Sequence, residues 1–173
     1  MLDINLIYNI LNSEDISIYE EELFTLIPEL KYEKDFEQRS KWHVYDVWHH
    51  TLETIKACDN KEDKLVMLLH DIGKPFSYQD DGDIRHFKGH AEKSYVMSKE
   101  ILKRFNLSEL ENETILKLIR LHSTNINIED INTDNKEFYK RLLKIKMCDA
   151  KGYEKEHSKM ILKDLEKIRI KIN

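Results

Sequence analysis

Five apolar side chains in succession, Leu65, Val66, Met67, Leu68 and Leu69, leave that part of a helix over residues 61–71 with no polar face to turn toward water. Such a helix belongs in the interior, wrapped by other elements. It ends on HDIGKP (residues 70–75), where a histidine, an aspartate and a lysine crowd around one glycine. Two polar groups in that position are either a helix end meeting solvent or the start of a metal site.

The wrapping elements also read as helices. With four Gly and two Pro in 173 residues, turns are scarce and long helices are favoured. The pattern predicts helices over 2–11, 18–27, 43–58, 61–71, 90–105, 111–123, 135–151 and 153–170, with a charged, irregular stretch at 29–42. Gly73 and Pro75 are expected to stop the 61–71 helix, Gly73 by letting the chain turn. Residues 76–87 read as a small hairpin around Asp81-Gly82 or as a plain loop. The expected fold is all-α, a helical bundle around a single core.

Several function classes fall away. A net charge of −5 argues against a non-specific nucleic-acid binder, though not against a nucleotide held in a local pocket. No apolar stretch approaches the roughly 20 residues that span a bilayer, so no membrane partner is expected. The opening MLDINLIYNILNSEDIS has no basic n-region, and Cys58 and Cys148 form no CxxC pair. A soluble, cytoplasmic protein with reduced thiols is the expectation.

The most informative residues are polar ones that continue apolar stripes. Phe138, Leu142 and Ile145 mark one stripe, and its next position is Asp149. Ile115, Leu118 and Ile119 mark another, which runs into His122. Taken singly, each is an ordinary hydrogen-bonded core group or helix-end residue, because a buried carboxylate needs compensation. Together with His50, His70-Asp71 and His90 they place one or two such groups on each of five successive helical segments. Imidazole with carboxylate suits Zn, Mn, Fe, Co or Ni better than Ca or Mg. The acids Asp80, Asp81 and Asp83 lack the alternation of a calcium loop.

At these residues the chain resembles the HD-domain superfamily of metal-dependent phosphohydrolases, through His50…His70-Asp71…Asp149. A closer similarity is to the HD region of bacterial tRNA nucleotidyltransferases and poly(A) polymerase-like proteins. It rests on IPEL (27–30), Gln38, DVWHHTLET (46–54), LLHDIGKP (68–75) and HFKGHAE (86–92), and runs from about Leu26 to Ala150. Residues 1–25 then read as a helical extension and 26–173 as the HD domain, one compact unit. Residues 1–25 carry none of the nucleotidyltransferase motifs, so a stand-alone HD protein is the expectation.

The resemblance implies a divalent metal on His50, His70, Asp71 and Asp149. His90 and His122 resemble the additional ligands of dinuclear members, with Asp71 as the bridge. One or two ions of Mn, Fe, Zn, Ni, Co or Mg are expected. The implied chemistry is hydrolysis of a small phosphate ester, such as a nucleotide, by a metal-activated water. Asp71 and Lys74 are the candidate catalytic residues. Lys74 reads either as a phosphate partner or as a solvated lysine at a helix end. Arg85 and His86 are candidate substrate contacts or exposed loop residues. His43 reads as a helix-start residue, His49 as a surface group, His157 as structural, and Trp42 and Trp48 as core or pocket wall. The alternatives are a non-catalytic metal-containing module that binds RNA ends or a phosphorylated ligand, and a dinuclear-iron oxygenase.

Overall fold

The computed structural model describes residues 1–172. Its elements are α1 (Ile4–Leu11), α2 (Glu20–Leu26), α3 (Val47–Lys56), α4 (Lys61–Leu69), β1 (Gln79–Asp81), β2 (Ile84–His86), α5 (His90–Leu102), α6 (Glu109–Leu121), α7 (Lys136–Ala150) and α8 (Lys155–Ile172). Short 3₁₀ turns link several of them. The fold is all-α apart from the one small hairpin. No helix among the described residues is long and apolar enough to cross a membrane.

Helix α4 is the axis of the bundle. Its five consecutive apolar residues, Leu65 to Leu69, are all fully buried. They bury on every side because α1, α3, α6 and α7 all pack against α4. The N-terminus is fastened into this assembly: Leu2 N–H donates to the Arg104 carbonyl at 2.7 Å, and Asn106 N–H returns to the Leu2 carbonyl at 3.0 Å. Helices α5 and α6 pair along their length, as do α7 and α8.

The helix that begins near residue 43 in the sequence reading begins instead at Val47. Asp46 is extended, and its carboxylate accepts the His49 N–H at 2.7 Å, so it caps α3 and stops the helix growing backward. His43 therefore lies in a loop. The preceding charged stretch is also more ordered than its composition suggests. Pro28–Tyr32 is a 3₁₀ turn, and both Glu33 and Gln38 are buried.

The hairpin turn is shifted by one residue from the Asp81-Gly82 expectation. Asp81 pairs with Ile84, so Gly82 and Asp83 form the two-residue loop. Gly82 has φ of 59°, while Asp83 is not among the positive-φ residues, which suits glycine at the first position of a primed turn.

Gly73 has a different purpose from the one expected. Its φ of −82° is available to any residue, so it does not mark a left-handed turn. A Cβ there would lie 2.5 Å from Ser94 N and 2.7 Å from the His90 carbonyl oxygen, both backbone atoms of α5. Glycine lets the end of α4 touch the start of α5, and the Gly73 N–H is met by Ser94 Oγ at 2.9 Å. Gly73→Ala should therefore destabilise the protein by about 1–3 kcal/mol through overpacking, read as a lower urea midpoint at unchanged m.

Candidate metal centre

Six side chains from five helical segments converge beside the end of α4. His50 comes from α3, His70 and Asp71 follow α4, His90 opens α5, His122 follows α6, and Asp149 lies near the end of α7. They fall into two clusters, His50–His70–Asp149 and Asp71–His90–His122. Within each, the candidate ligand atoms lie within 4.8 Å of one another. His50, His70, Asp71 and His122 are buried, with Asp149 and His90 partly so.

Asp71 stands between the clusters. Its Oδ2 lies 3.5 Å from His50 Nε2 and 3.2 Å from His70 Nε2, while Oδ1 lies 3.4 Å from His90 Nε2 and 3.7 Å from His122 Nε2. Each carboxylate oxygen thus faces a different cluster. Asp149 Oδ1 closes the first, 3.1 Å from His50 Nε2 and 3.6 Å from His70 Nε2.

The hydrogen bonding fixes what these atoms offer. Each of the four rings pairs Nδ1 with a backbone carbonyl: His50 with Gly152 at 3.1 Å, His70 with Met67 at 2.6 Å, His90 with Phe87 at 2.7 Å and His122 with Ile119 at 2.7 Å. A carbonyl can only accept, so each Nδ1 carries a proton, and a ring in its neutral form turns the Nε2 lone pair inward. For His70 and His122, which cap α4 and α6, the same bond also occupies a helix-end carbonyl.

The result is a buried meeting of acceptors. His90 Nε2 lies 3.1 Å from His122 Nε2, two lone pairs at hydrogen-bonding distance with no proton between neutral rings. His70 Nε2 and Asp71 Oδ1 are buried without a hydrogen-bond partner. Such a set is unfavourable alone and is suited to cations, so the residues fit a divalent metal on the chemistry of their own donors. Electrostatics points the same way. Burial works to lower the His70 imidazole, but Asp71 and Asp149 prevail and raise it to about 10. A proton there stands in for missing positive charge. Burial, then the His70 charge, hold His122 down at about 3, which leaves it a neutral donor ring. Asp71 stays well below the usual carboxylate range: burial opposes ionisation, but His70 and Lys74 outweigh it.

Lys74 is not a solvated helix-end lysine. It is 4% exposed, and its ammonium lies 2.6 Å from Asp71 Oδ2 and 2.7 Å from Gln38 Oε1. Gln38 is fixed in turn by donating to the Tyr45 carbonyl at 3.3 Å. Arg85 and His86 are not brought into the site. The Arg85 guanidinium is bidentate on Asp80, at 2.6 and 3.0 Å, and donates to the Glu37 carbonyl at 2.8 Å. Arg85 thereby ties the hairpin to the loop that carries Gln38. His86 is exposed on β2.

A cavity of about 350 Å³ opens onto these groups, lined by Asp71, Lys74, His90, His122 and Asp149 and walled by Phe87, Tyr153, Ile161 and Leu165. The remaining wall includes groups that the sequence reading did not place there. Lys146 lines it, while its ammonium donates to the His122 and Thr124 carbonyls at 2.6 and 2.8 Å. His43 lines it too, held at about 3 first by burial and then by Lys74 and His50. Gly152 supports the site from behind: a Cβ there would lie 2.4 Å from His50 Nδ1, so only glycine lets its carbonyl approach that ring. Glycine after an aspartate-bearing helix was the available signal, and it is easily read as a helix terminator. His49 is exposed and pairs with Asp46, and Trp48 is fully buried. Trp42 is half-exposed, stacked on His157 at 4.3 Å rather than in the core.

The family model described as HD domain matches residues 43–171, a span that contains all six convergent side chains. No curated protein matches the chain.

Two donor clusters lead to a stoichiometric expectation. After loading with Mn²⁺ and desalting, mass spectrometry of the metal should find two ions per chain, falling toward one in His90→Ala and in His122→Ala. Gly152→Ala, which displaces the His50 ring, should likewise fall toward one by emptying the other cluster. A wild-type value of one would remove the two-cation arrangement.

Proposed function

This chain belongs to the HD-domain family, and from that premise we propose that it is a metal-dependent phosphohydrolase acting on a small phosphate ester. The observation that carries the proposal is Asp71, one carboxylate with each oxygen toward a separate cluster of lone-pair donors, at the floor of a cavity. His50, His70, Asp149 and Asp71 would hold one divalent cation, and Asp71, His90 and His122 a second. When bound, such cations acidify water and neutralise charge on a phosphoryl group undergoing in-line attack.

The chain's own residues supply the rest. Lys74 spends two of its three N–H groups on Asp71 and Gln38, which fix the ammonium at the cavity wall. The third N–H is available to a phosphoryl oxygen, where a fixed positive charge favours the charge that develops in the transition state. Lys146 lines the same cavity while its own hydrogen bonds hold the end of α6. Phe87, Tyr153, Ile161 and Leu165 offer apolar surface to the organic part of the ester. A ring-bearing group such as a nucleoside fits that combination, and the sequence likeness to the HD region of tRNA nucleotidyltransferases supports the same class. The cavity's size favours a single small ester over a polymer.

The test is a panel of phosphomonoesters and phosphodiesters, with p-nitrophenyl phosphate and bis(p-nitrophenyl) phosphate as reporters, assayed with Mn²⁺, Ni²⁺, Co²⁺, Zn²⁺ and Mg²⁺. Asp71→Ala should abolish turnover. Lys74→Met should lower kcat by about 10²–10³ while metal content is retained. A wild type that takes up metal but hydrolyses nothing on the panel, or an Asp71→Ala variant as active as wild type, would refute the proposal.

A further inference from the structure

We infer that His43 is a substrate-contacting residue, donating a ring N–H to the phosphoryl group alongside Lys74. The inference rests on the phosphohydrolase reading and adds a residue outside both donor clusters.

Three observations carry it. First, His43 differs from the four convergent histidines in its hydrogen bonding. Each of those has Nδ1 on a backbone carbonyl, whereas both ring nitrogens of His43 are buried with no hydrogen-bond partner. Buried polar atoms are nearly always satisfied, so two on one ring point to a partner that the chain itself does not supply. Second, the ring lines the same cavity as Asp71, Lys74 and Asp149. Third, its neighbours hold it in place. It packs edge-on against His50 with centroids 5.6 Å apart, and at a tilt of 45° against Tyr153 at 4.7 Å. Neither contact uses a ring nitrogen as a hydrogen-bonding atom, so packing fixes the ring and leaves its polar atoms available.

The local backbone explains how the ring arrives there. His43 N–H donates to the Ser40 carbonyl at 3.1 Å, and the Trp42 carbonyl accepts Glu154 N–H at 2.9 Å, joining this loop to the start of α8. Asp46 then ends the loop by capping α3, seven residues after Arg39, itself at φ of 45°. An imidazole in this position adds a second hydrogen-bond donor. It would thus complement Lys74: the ammonium balances part of the phosphoryl charge, and the imidazole fixes the orientation of a second oxygen.

The experiment compares metal-loaded wild type, His43→Ala and His43→Gln. Metal content is measured first, followed by the affinity for inorganic phosphate by calorimetry and KM and kcat with p-nitrophenyl phosphate. His43→Ala should keep wild-type metal content and weaken phosphate binding about tenfold to a hundredfold, the range for a hydrogen bond to a charged group. His43→Gln, which restores an N–H, should recover part of that loss. Unchanged phosphate affinity in His43→Ala would overturn the inference, as would loss of metal or equal defects in the two variants. Should His43→Ala fail to fold, ¹⁵N-histidine spectra of the Zn²⁺-loaded wild type decide: phosphate should shift the His43 ring nitrogens, and no shift overturns the assignment. A wild type that neither binds phosphate nor hydrolyses esters removes the phosphohydrolase reading itself. A wild type that does both, with His43→Ala unaffected, removes only the role of His43.

Discussion

Asp71 places a carboxylate in the interior directly after the run of five buried apolar residues that ends α4, with 2% of its side chain exposed. Burial of a charge at that point is costly unless it is surrounded by donors or cations. Lys74 meets one oxygen, and four imidazoles approach the two oxygens between them. Each of those imidazoles has its other nitrogen on a backbone carbonyl, so when neutral it offers a lone pair rather than a proton. Compensation is therefore incomplete without further positive charge, and the bundle around α4 is arranged about that deficit.

Much of the remaining architecture serves to bring donors to this carboxylate. Helices α3, α5, α6 and α7 each bring one or more groups to the end of α4, and their packing sets the distances. Two glycines permit the closest approaches, Gly73 between α4 and α5 and Gly152 against the His50 ring. The hairpin acts at one remove. Arg85, on β2, grips Asp80 and the Glu37 carbonyl, and so steadies the loop from which Gln38 reaches Lys74. Glu33, in the same loop, is fully buried with neither oxygen hydrogen-bonded. Burial and the Asp71 charge raise its carboxyl well above the ordinary range, which favours the neutral acid behind an already negative site.

The convergent residues were legible because a polar group on an apolar stripe breaks the helical period. Asp149 following Phe138, Leu142 and Ile145, and His122 following Ile115, Leu118 and Ile119, break their stripes in this way, and they gained meaning when taken together with His50, His70-Asp71 and His90. Residues in loops carry no such period. His43 was read as part of a helix because nothing in the sequence revealed that Asp46 would be extended and cap α3. Arg85 and His86 read as substrate contacts or exposed loop residues, the first because they are near His90 in the chain. The hairpin register turns Arg85 onto Asp80 and leaves His86 in solvent.

Sequence alone determined the all-α class, the buried axis at 61–71 and the set of imidazoles and carboxylates brought to its end. The class and the axis follow from local quantities, apolar periodicity and the scarcity of Gly and Pro, whereas the full donor set rested on polar residues taken jointly and on the resemblance to the HD-domain superfamily. Tertiary structure decided which groups meet. It set the distances within the two donor clusters on either side of Asp71, drew Lys74 into the interior and brought His43 and Lys146 to the cavity. Those outcomes depend on the ångström-scale placement of side chains from segments as much as 102 residues apart, as His50 and Gly152 are, and no local pattern encodes that separation.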